Sequence, residues 1–229
     1  MEPSKRSISW IQLYLLMGII QLLSIVLDYV PAHDVTKYLL MPPLAMYVIT
    51  QMASGAKGKR IILAAVFLSW LGDIFLIYTQ RNELYFLLGL GSFLLAHIAY
   101  ILSFFTLRNP GKSQLILLLL AIPFGIYAAW LLNTLMPSLG DMQVPVIVYG
   151  CVITVMGISA LLRFGKTFSY SFWFVFIGAV LFIISDSLIA WNMFYKPVQM
   201  AGLLIMITYI IAQYLIVSGL LMHNNEAEH

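Results

Sequence analysis

Charged residues are scarce in this chain of 229 residues, since only 9% are Asp, Glu, Lys or Arg while 62% are hydrophobic. Soluble domains carry about 25% charged residues. A water-soluble fold could not hide so much apolar surface, so the composition predicts a membrane protein with several spanning segments. The 12 basic residues are scattered through loops instead of clustering on one face, and this distribution excludes a nucleic-acid-binding surface.

Cysteine and histidine are also rare. Cys151 is the single cysteine, so an internal disulfide is excluded, and its apolar surroundings predict a small core residue. Among the 4 histidines, only His97 falls within a predicted helix. A zinc site takes three or four side-chain ligands, and we therefore expect no metal and no cofactor.

Eight apolar runs are long enough, at about 20 residues each, to cross a bilayer. The breaks between them carry proline, glycine and charged residues, as in residues 31–34 after the first run. The first run is longer than a signal-peptide core and no A-x-A cleavage site follows it, so we expect it to be retained. We predict an all-α integral membrane protein with one transmembrane domain over residues 1–229 and a mobile tail over 223–229. The predicted helices are 10–30, 36–53, 61–80, 84–106, 114–133, 143–163, 171–191 and 198–221.

The basic residues also predict the orientation of these helices. With the N-terminus in the cytoplasm, nine of the 12 basic residues fall in cytoplasmic segments and three, Lys37, Arg81 and Lys196, fall outside. Cytoplasmic loops of membrane proteins carry an excess of lysine and arginine. Both termini are therefore predicted to be cytoplasmic.

Two carboxylates, Asp73 and Asp186, lie deep inside apolar runs. An ionisable group in that position is energetically costly and by default marks a functional site. At about 1.5 Å per residue, both fall roughly 8–10 Å below the outer boundary of their helices, which a shared carboxylate site would require. Their equivalent places on the third and seventh helices also suggest a parallel 4+4 repeat.

Other polar side chains would surround a cavity that opens outward. Tyr149 falls at about the depth of the aspartates, Lys37 lies at the mouth of the cavity, and the others lie deeper. Each also has a structural explanation: histidine and glutamine hydrogen-bond between helices, tyrosines pack in cores or interfaces, and lysines extend to the membrane surface. The candidate substrate-binding residues are Lys37, His97, Tyr100, Tyr149, Tyr209 and Gln213.

A proton-coupled transporter or channel is the main alternative function, because membrane carboxylates also serve as proton relays. The inner halves of the third and seventh helices are almost entirely apolar, which argues against a path across the membrane. An intramembrane aspartyl protease is less favoured. Its G-x-G-D motif would need glycine at Trp70, and its partner motif would need tyrosine at Ser185.

The chain resembles the YhhN-type lysoplasmalogenase family in four motifs that occur in order along nearly its whole length. They are W-L-G-D-I-F-L at 70–76, G-x-x-x-F-x-x-x-H-x-x-Y at 89–100, G-A-V-L-F-I-I-S-D-S at 178–187 and Y-I-I-A-Q at 209–213. The segment T-K-Y-L-L-M-P at 36–42 is similar to the start of the family's second helix. Proline often follows the lysine there, whereas this chain has Tyr38.

The resemblance implies a multispanning membrane enzyme that hydrolyses the vinyl ether bond of lysoplasmalogens to a fatty aldehyde and glycerophosphocholine or glycerophosphoethanolamine. It also implies that Asp73 and Asp186 are the catalytic pair. This chemistry begins with protonation of an alkene carbon, and two carboxyl groups that share one proton can supply both the acid and the base for water. Lys37 would meet the lipid phosphate.

The expected partners are the lysophospholipid substrate and membrane lipids, with no nucleic acid. We favour a bacterial inner membrane as the location, or the endoplasmic reticulum if the source is eukaryotic. The sequence leaves open which aspartate is the acid, which headgroup is preferred and whether the protein forms oligomers.

Overall fold

The computed structural model of the chain describes residues 5–110 and 115–227. Every regular element in these two ranges is helical, and the prediction of an all-α protein is confirmed. Two short 3₁₀ turns, Met136–Ser138 and Gly140–Met142, connect the fifth and sixth α-helices. The α-helices are α1 (Lys5–Val26), α2 (Val30–Gln51), α3 (Lys59–Ile77), α4 (Glu83–Thr106), α5 (Leu115–Leu135), α6 (Gln143–Leu161), α7 (Ser169–Phe194) and α8 (Ala201–Ala227).

Six segments of the described ranges are long and apolar enough to cross a membrane. In the span on α5, only 6% of the residues are buried. A helix that is apolar all round and covered so little by its own chain suits a lipid environment. These helices indicate an integral membrane protein, whereas the eight-span count stays a prediction. The six segments are Lys59–Ile77, Glu83–Thr106, Leu119–Ser138, Gly140–Leu161, Ser169–Phe194 and Ala201–Asn224.

The start of α2 differs from the prediction. Residues 31–34, which were expected to separate two helices, form its first turn, and His33 is therefore helical rather than in a loop. Proline lacks an N–H group, and the first turn of a helix does not need one. The chain reverses instead at residues 27–29, where Asp28 adopts a φ of 51°. Aspartate is one of the few residue types that tolerate this left-handed conformation.

The end of α8 differs as well, because the helix continues to Ala227 instead of giving way to a tail at residue 223. His223 and Asn224 are buried, with 3% and 6% of their surface exposed. The His223 ring packs against Phe168, with 5.5 Å between the ring centroids. The apolar run in the sequence ends at Met222, so it gave no sign that the helix continues and packs against Phe168. Residues 228–229 lie outside the described part.

The chain divides into two compact units, Met1–Tyr100 and Ile101–His229. In the first unit, α1 packs on α2 and α2 packs on α3. Glycines bring α3 and α4 close together, since a Cβ atom at Gly72 would lie 2.5 Å from the Phe93 ring. Close approach at small residues is a common way for membrane helices to pack.

In the second unit, the closest helix pair is α7 and α8. A Cβ atom at Gly178 would lie 2.8 Å from Ile216 Cγ1 and 3.0 Å from the Ala212 carbonyl oxygen. The Ser171 hydroxyl donates a hydrogen bond of 2.7 Å to the Gly219 carbonyl oxygen. Small residues and an interhelical hydrogen bond therefore hold α7 against α8.

Arg163 lies just after α6 and is fully buried. Its guanidinium donates hydrogen bonds to the carbonyl oxygens of Leu107, at 2.6 Å, and Phe104, at 3.2 Å. It also donates to the Ser171 hydroxyl at 3.0 Å. The last carbonyl groups of a helix lack partners within that helix. Arg163 therefore supplies donors at the end of α4 and joins that end to α7.

Cys151 is exposed on α6, so its prediction as a core residue is wrong. The helix is apolar around its whole circumference, with residues such as Val148 and Val155 also exposed. Hydrophobic periodicity cannot indicate the buried face of such a helix.

Candidate functional site

Asp186 on α7 and Tyr149 on α6 are brought together in the second unit. Asp186 is buried, with 8% of its surface exposed. The Tyr149 hydroxyl donates a hydrogen bond of 2.5 Å to Asp186 Oδ2. This distance falls at the short end of the range for hydroxyl donors to carboxylates, which are among the stronger hydrogen bonds in proteins. A phenol therefore holds the orientation of the carboxyl group.

The two serines beside Asp186 are engaged with helix backbones. The Ser185 hydroxyl donates to the Ile205 carbonyl oxygen at 3.1 Å, across to α8. The Ser187 hydroxyl donates to the Ile183 carbonyl oxygen at 2.6 Å, within α7. Both hydroxyl groups are hydrogen-bonded to helix backbone, and a catalytic role for the carboxyl group between them stays a prediction.

A cavity of about 50 Å³ lies beside the Tyr149–Asp186 pair, between α5, α6 and α7. A water molecule needs roughly 10–15 Å³ of such space. The cavity therefore admits a few water-sized groups next to the carboxyl group. It adjoins an open cleft of about 360 Å³ between α5 and α7. Both spaces are lined by Tyr127, Leu131 and Ser187.

Tyr209 and Gln213 lie on α8 in the second unit, and both are buried. The Tyr209 ring packs edge-on against Phe182, with 5.4 Å between the ring centroids. This contact agrees with the alternative explanation given for the tyrosines, namely that Tyr209 packs against neighbouring side chains. A substrate-binding role for either residue stays a prediction.

Asp73 on α3 is the buried carboxylate of the first unit, with 4% of its surface exposed. It interacts electrostatically with Lys37 on α2, which is half-buried. It also interacts with Tyr14 on α1, and Tyr14 interacts with Tyr100 on α4. Asp73 thus interacts with side chains of α1 and α2, and Tyr14 in turn connects this group to Tyr100 of α4.

Tyr14 is a residue that the sequence reasoning missed. It is fully buried on α1, as is Gln21, which accepts a hydrogen bond from the Thr36 hydroxyl of α2. Tyr14 and Gln21 are seven residues apart and therefore share one face of the helix. Two polar residues at this spacing in an apolar run could have identified the buried face of α1.

Trp70 explains part of the W-L-G-D motif. Pro42 has no N–H group and so leaves the carbonyl oxygen of Tyr38, four residues earlier in α2, without its usual donor. The Trp70 Nε1–H group donates to that oxygen at 2.8 Å. Because Tyr38 follows Lys37 and Trp70 precedes Asp73 by three residues, this bond fixes α3 against α2 close to the Lys37–Asp73 interaction.

The predicted face of α4 is buried throughout. Gly89, Phe93, His97 and Tyr100 all lie in the interior, and the last three are 5%, 0% and 0% exposed. A Cβ atom at Gly89 would lie 2.8 Å from Leu76 Cδ2. The glycine therefore allows α4 to approach α3 on the face that carries His97.

Asp73 belongs to the first unit and Asp186 to the second, and their pairing stays a prediction. Within residues 5–110 and 115–227, no group of three or more His, Cys, Asp or Glu side chains is placed to hold a metal ion.

Comparison with known proteins gives a consistent set of relatives. Residues 32–220 match the family model described as the YhhN family. Lysoplasmalogenase TMEM86B from Homo sapiens is 34% identical over 166 residues, which cover 72% of this chain and 65% of that protein. Lysoplasmalogenase TMEM86A from Homo sapiens is 35% identical over 178 residues, covering 75% and 69%.

A bacterial relative is also found. Lysoplasmalogenase from Mycobacterium tuberculosis is 28% identical over 198 residues, covering 82% of this chain and 74% of that protein. No solved structure matches the chain. The match with human TMEM86B spans less than two thirds of that protein's length, at 65%.

Proposed function

The chain belongs to the YhhN family, and on that premise we propose that it is a lysoplasmalogenase, which hydrolyses the vinyl ether bond of a lysoplasmalogen. The observation that carries the proposal is a carboxyl group, Asp186, which is hydrogen-bonded to Tyr149 and lines a largely apolar cavity. Vinyl ether hydrolysis needs a proton donor next to an aliphatic chain, and this arrangement supplies both.

The reaction consumes one water molecule. A proton is transferred to the alkene carbon that is not bonded to oxygen, and an oxocarbenium ion forms at the other carbon. Water adds to that carbon and gives up a proton to the general base, so the former acid is now ionised and the base is protonated. The resulting hemiacetal then collapses: its hydroxyl proton goes to the former acid, the proton of the base goes to the glycerol oxygen, and the bond between carbon and that oxygen breaks. A fatty aldehyde and a free glycerol hydroxyl are released, and both enzyme groups return to their starting protonation states. The steps require one general acid and one general base.

We assign the proton donor to Asp186, because it borders the cavity in which the alkene carbon would lie. Its Oδ2 accepts the hydrogen bond from Tyr149, and in the proposal the proton is carried by Oδ1. As the proton leaves, negative charge develops on the carboxyl group, and the phenol stabilises that charge through the same hydrogen bond. Tyr149 therefore acts in the transition state rather than in substrate binding alone.

Asp73 is assigned as the base that accepts the proton from water, and Lys37 balances its negative charge. Two aspartates would then divide the labour as the two carboxyl groups of glycosidases do. The pairing of Asp73 with Asp186 rests on the sequence. The residues proposed to orient the water and the glycerol oxygens are His97, Tyr100, Tyr209 and Gln213, with Lys37 also available to the lipid phosphate.

The proposed topology has eight membrane spans, cytoplasmic termini and a site that opens toward the outer side, with the two aspartates related by a 4+4 repeat. The distribution of nine basic residues against three supports the orientation. A bacterial inner membrane or the endoplasmic reticulum would host the protein.

Aldehyde release from purified protein tests this function. We expect a fatty aldehyde to form from a lysoplasmalogen, while a lysophospholipid with an ester-linked chain gives no free fatty acid. Hydrolysis of the ester but not of the vinyl ether would contradict the proposal. Proton-coupled flux in liposomes without any product would favour the transporter alternative.

A further inference from the structure

The helix α5 stands away from α7 in the second unit. It packs along α6 and touches α7 at few points, and only 6% of its span is buried. The space between α5 and α7 is the open cleft of about 360 Å³, which adjoins the cavity beside Asp186. A gap in the side of the helix bundle therefore leads to the carboxyl group.

One end of this gap is closed by aromatic rings. Trp130 of α5 stacks on Trp191 of α7, with 5.7 Å between the ring centroids and 27° between the ring planes. Trp191 in turn packs edge-on against Tyr195, at 4.5 Å. Tryptophan and tyrosine are enriched where a membrane meets water. The stack therefore suits the level of the lipid headgroups, with the rest of the gap beside the acyl region.

The surface inside the gap is apolar even where the sequence has hydroxyl groups. The Thr154 hydroxyl donates to the Gly150 carbonyl oxygen and the Ser187 hydroxyl donates to the Ile183 carbonyl oxygen, both at 2.6 Å. Each hydroxyl therefore has a hydrogen-bond partner within its own helix. The wall around Asp186 is aliphatic and aromatic.

We propose that this cleft holds the alkenyl chain of the substrate and that the gap between α5 and α7 is its lateral opening to the bilayer. The inference rests on the proposed function. The vinyl ether lies at the glycerol end of a single aliphatic chain, so a substrate with its alkene carbon against Asp186 needs apolar space for the rest of the chain. The gap supplies that space, and a lipid entering through it does not cross water.

A second apolar cleft, of about 290 Å³, lies in the first unit between α2 and α3 and is lined by residues such as Met41, Ala45 and Phe67. Its lining contains no carboxyl group. A chain bound there would place no proton donor against the vinyl ether, and this cleft serves as the comparison site in the experiment below.

Two isoleucines of α7 provide a matched pair of variants. Ile184 lines the open cleft but not the cavity beside Asp186, whereas Ile177 lies outside the lining of both spaces. They are similarly exposed, at 41% and 45%, so Ile184→Trp and Ile177→Trp differ mainly in whether they fill the cleft.

We expect Ile184→Trp to lower kcat/KM for a long-chain lysoplasmalogen by about tenfold or more, as small steric changes in an apolar pocket do, and to affect a short-chain substrate much less. Ile177→Trp should match the wild type with both substrates. Equal effects of the two variants, or a loss in Ile184→Trp that does not depend on chain length, would overturn the inference.

A second measurement does not depend on turnover. An alkyl-ether lysophospholipid with a diazirine at the end of its chain should crosslink to peptides of α5 and α7, and excess unlabelled ether lipid should prevent the labelling. Crosslinking at residues 41–70 instead would refute this location. An absence of aldehyde from the wild type with every chain length would refute the proposed function, whereas crosslinks on α5 and α7 would still support the chain site.

Discussion

Replacement of Tyr149 by phenylalanine removes one hydroxyl group from the proposed active site. The ring remains, so the packing of α6 against α7 is preserved. The lost interaction is the hydrogen bond of 2.5 Å to Asp186 Oδ2. In the proposed mechanism this bond strengthens as Asp186 gives up its proton, and its loss should therefore slow the chemical step.

The expected size of the effect follows from the type of bond. A hydrogen bond to a charged group contributes about 1.5–3 kcal/mol. Each 1.36 kcal/mol in an activation free energy changes the rate by a factor of about ten. Tyr149→Phe should therefore lower kcat roughly 10- to 150-fold. The KM should change little, because in the proposal the hydroxyl acts on Asp186, to which it is hydrogen-bonded, and not on the aliphatic chain.

The assay is steady-state release of fatty aldehyde from a lysoplasmalogen by the purified variant. Tyr170→Phe is the matched control, since Tyr170 lies in the first turn of α7 and is 77% exposed. It should have wild-type kcat and KM. A Tyr149→Phe variant with kcat within twofold of the wild type, at an unchanged melting temperature, would refute the transition-state role of the phenol.

Two further substitutions test the packing of the helices that carry the aspartates. Trp70→Phe removes the indole N–H group that donates to the Tyr38 carbonyl oxygen, and it should lower the free energy of unfolding by about 1–3 kcal/mol. Trp173→Phe is the control at a half-exposed site and should lower it less. Equal denaturation curves for the two variants in detergent would contradict this prediction. Gly178→Ala places a methyl group 3.0 Å from backbone atoms of α8 and should destabilise the protein by about 1–3 kcal/mol. Gly91→Ala, which meets nothing within 4 Å, should be neutral or stabilising, and the opposite order of melting temperatures would show that α7 and α8 do not pack as described.

The sequence was sufficient to predict the helices and the placement of some polar residues. Helical rise placed Tyr149 and Asp186 at similar depths from the same side, and the structure joins them by a hydrogen bond. The two aspartates were predicted inside apolar runs, and both are buried. Such inferences hold because helix geometry is regular and because an ionisable side chain in a membrane helix almost always faces the interior of the helix bundle.

Other features depend on tertiary contacts that the local pattern does not record. The exposure of Cys151 could not be read from α6, which is apolar on every side. To predict the burial of Tyr14, one must know which face of α1 is inside, and the spacing between Tyr14 and Gln21 was the one indication of that face. His223, predicted in a tail, lies in α8 and packs against Phe168 from another part of the chain. In each case the neighbouring helices decide which face is inside.

The central claim is that two membrane aspartates hydrolyse a vinyl ether, and Asp73→Asn and Asp186→Asn test it most directly. Asparagine keeps the size of the side chain but cannot donate or accept the proton. With expression and melting temperature close to those of the wild type, we predict that each variant releases no detectable aldehyde from a lysoplasmalogen under conditions in which the wild type does. Aldehyde release at wild-type rates by both variants would contradict the account.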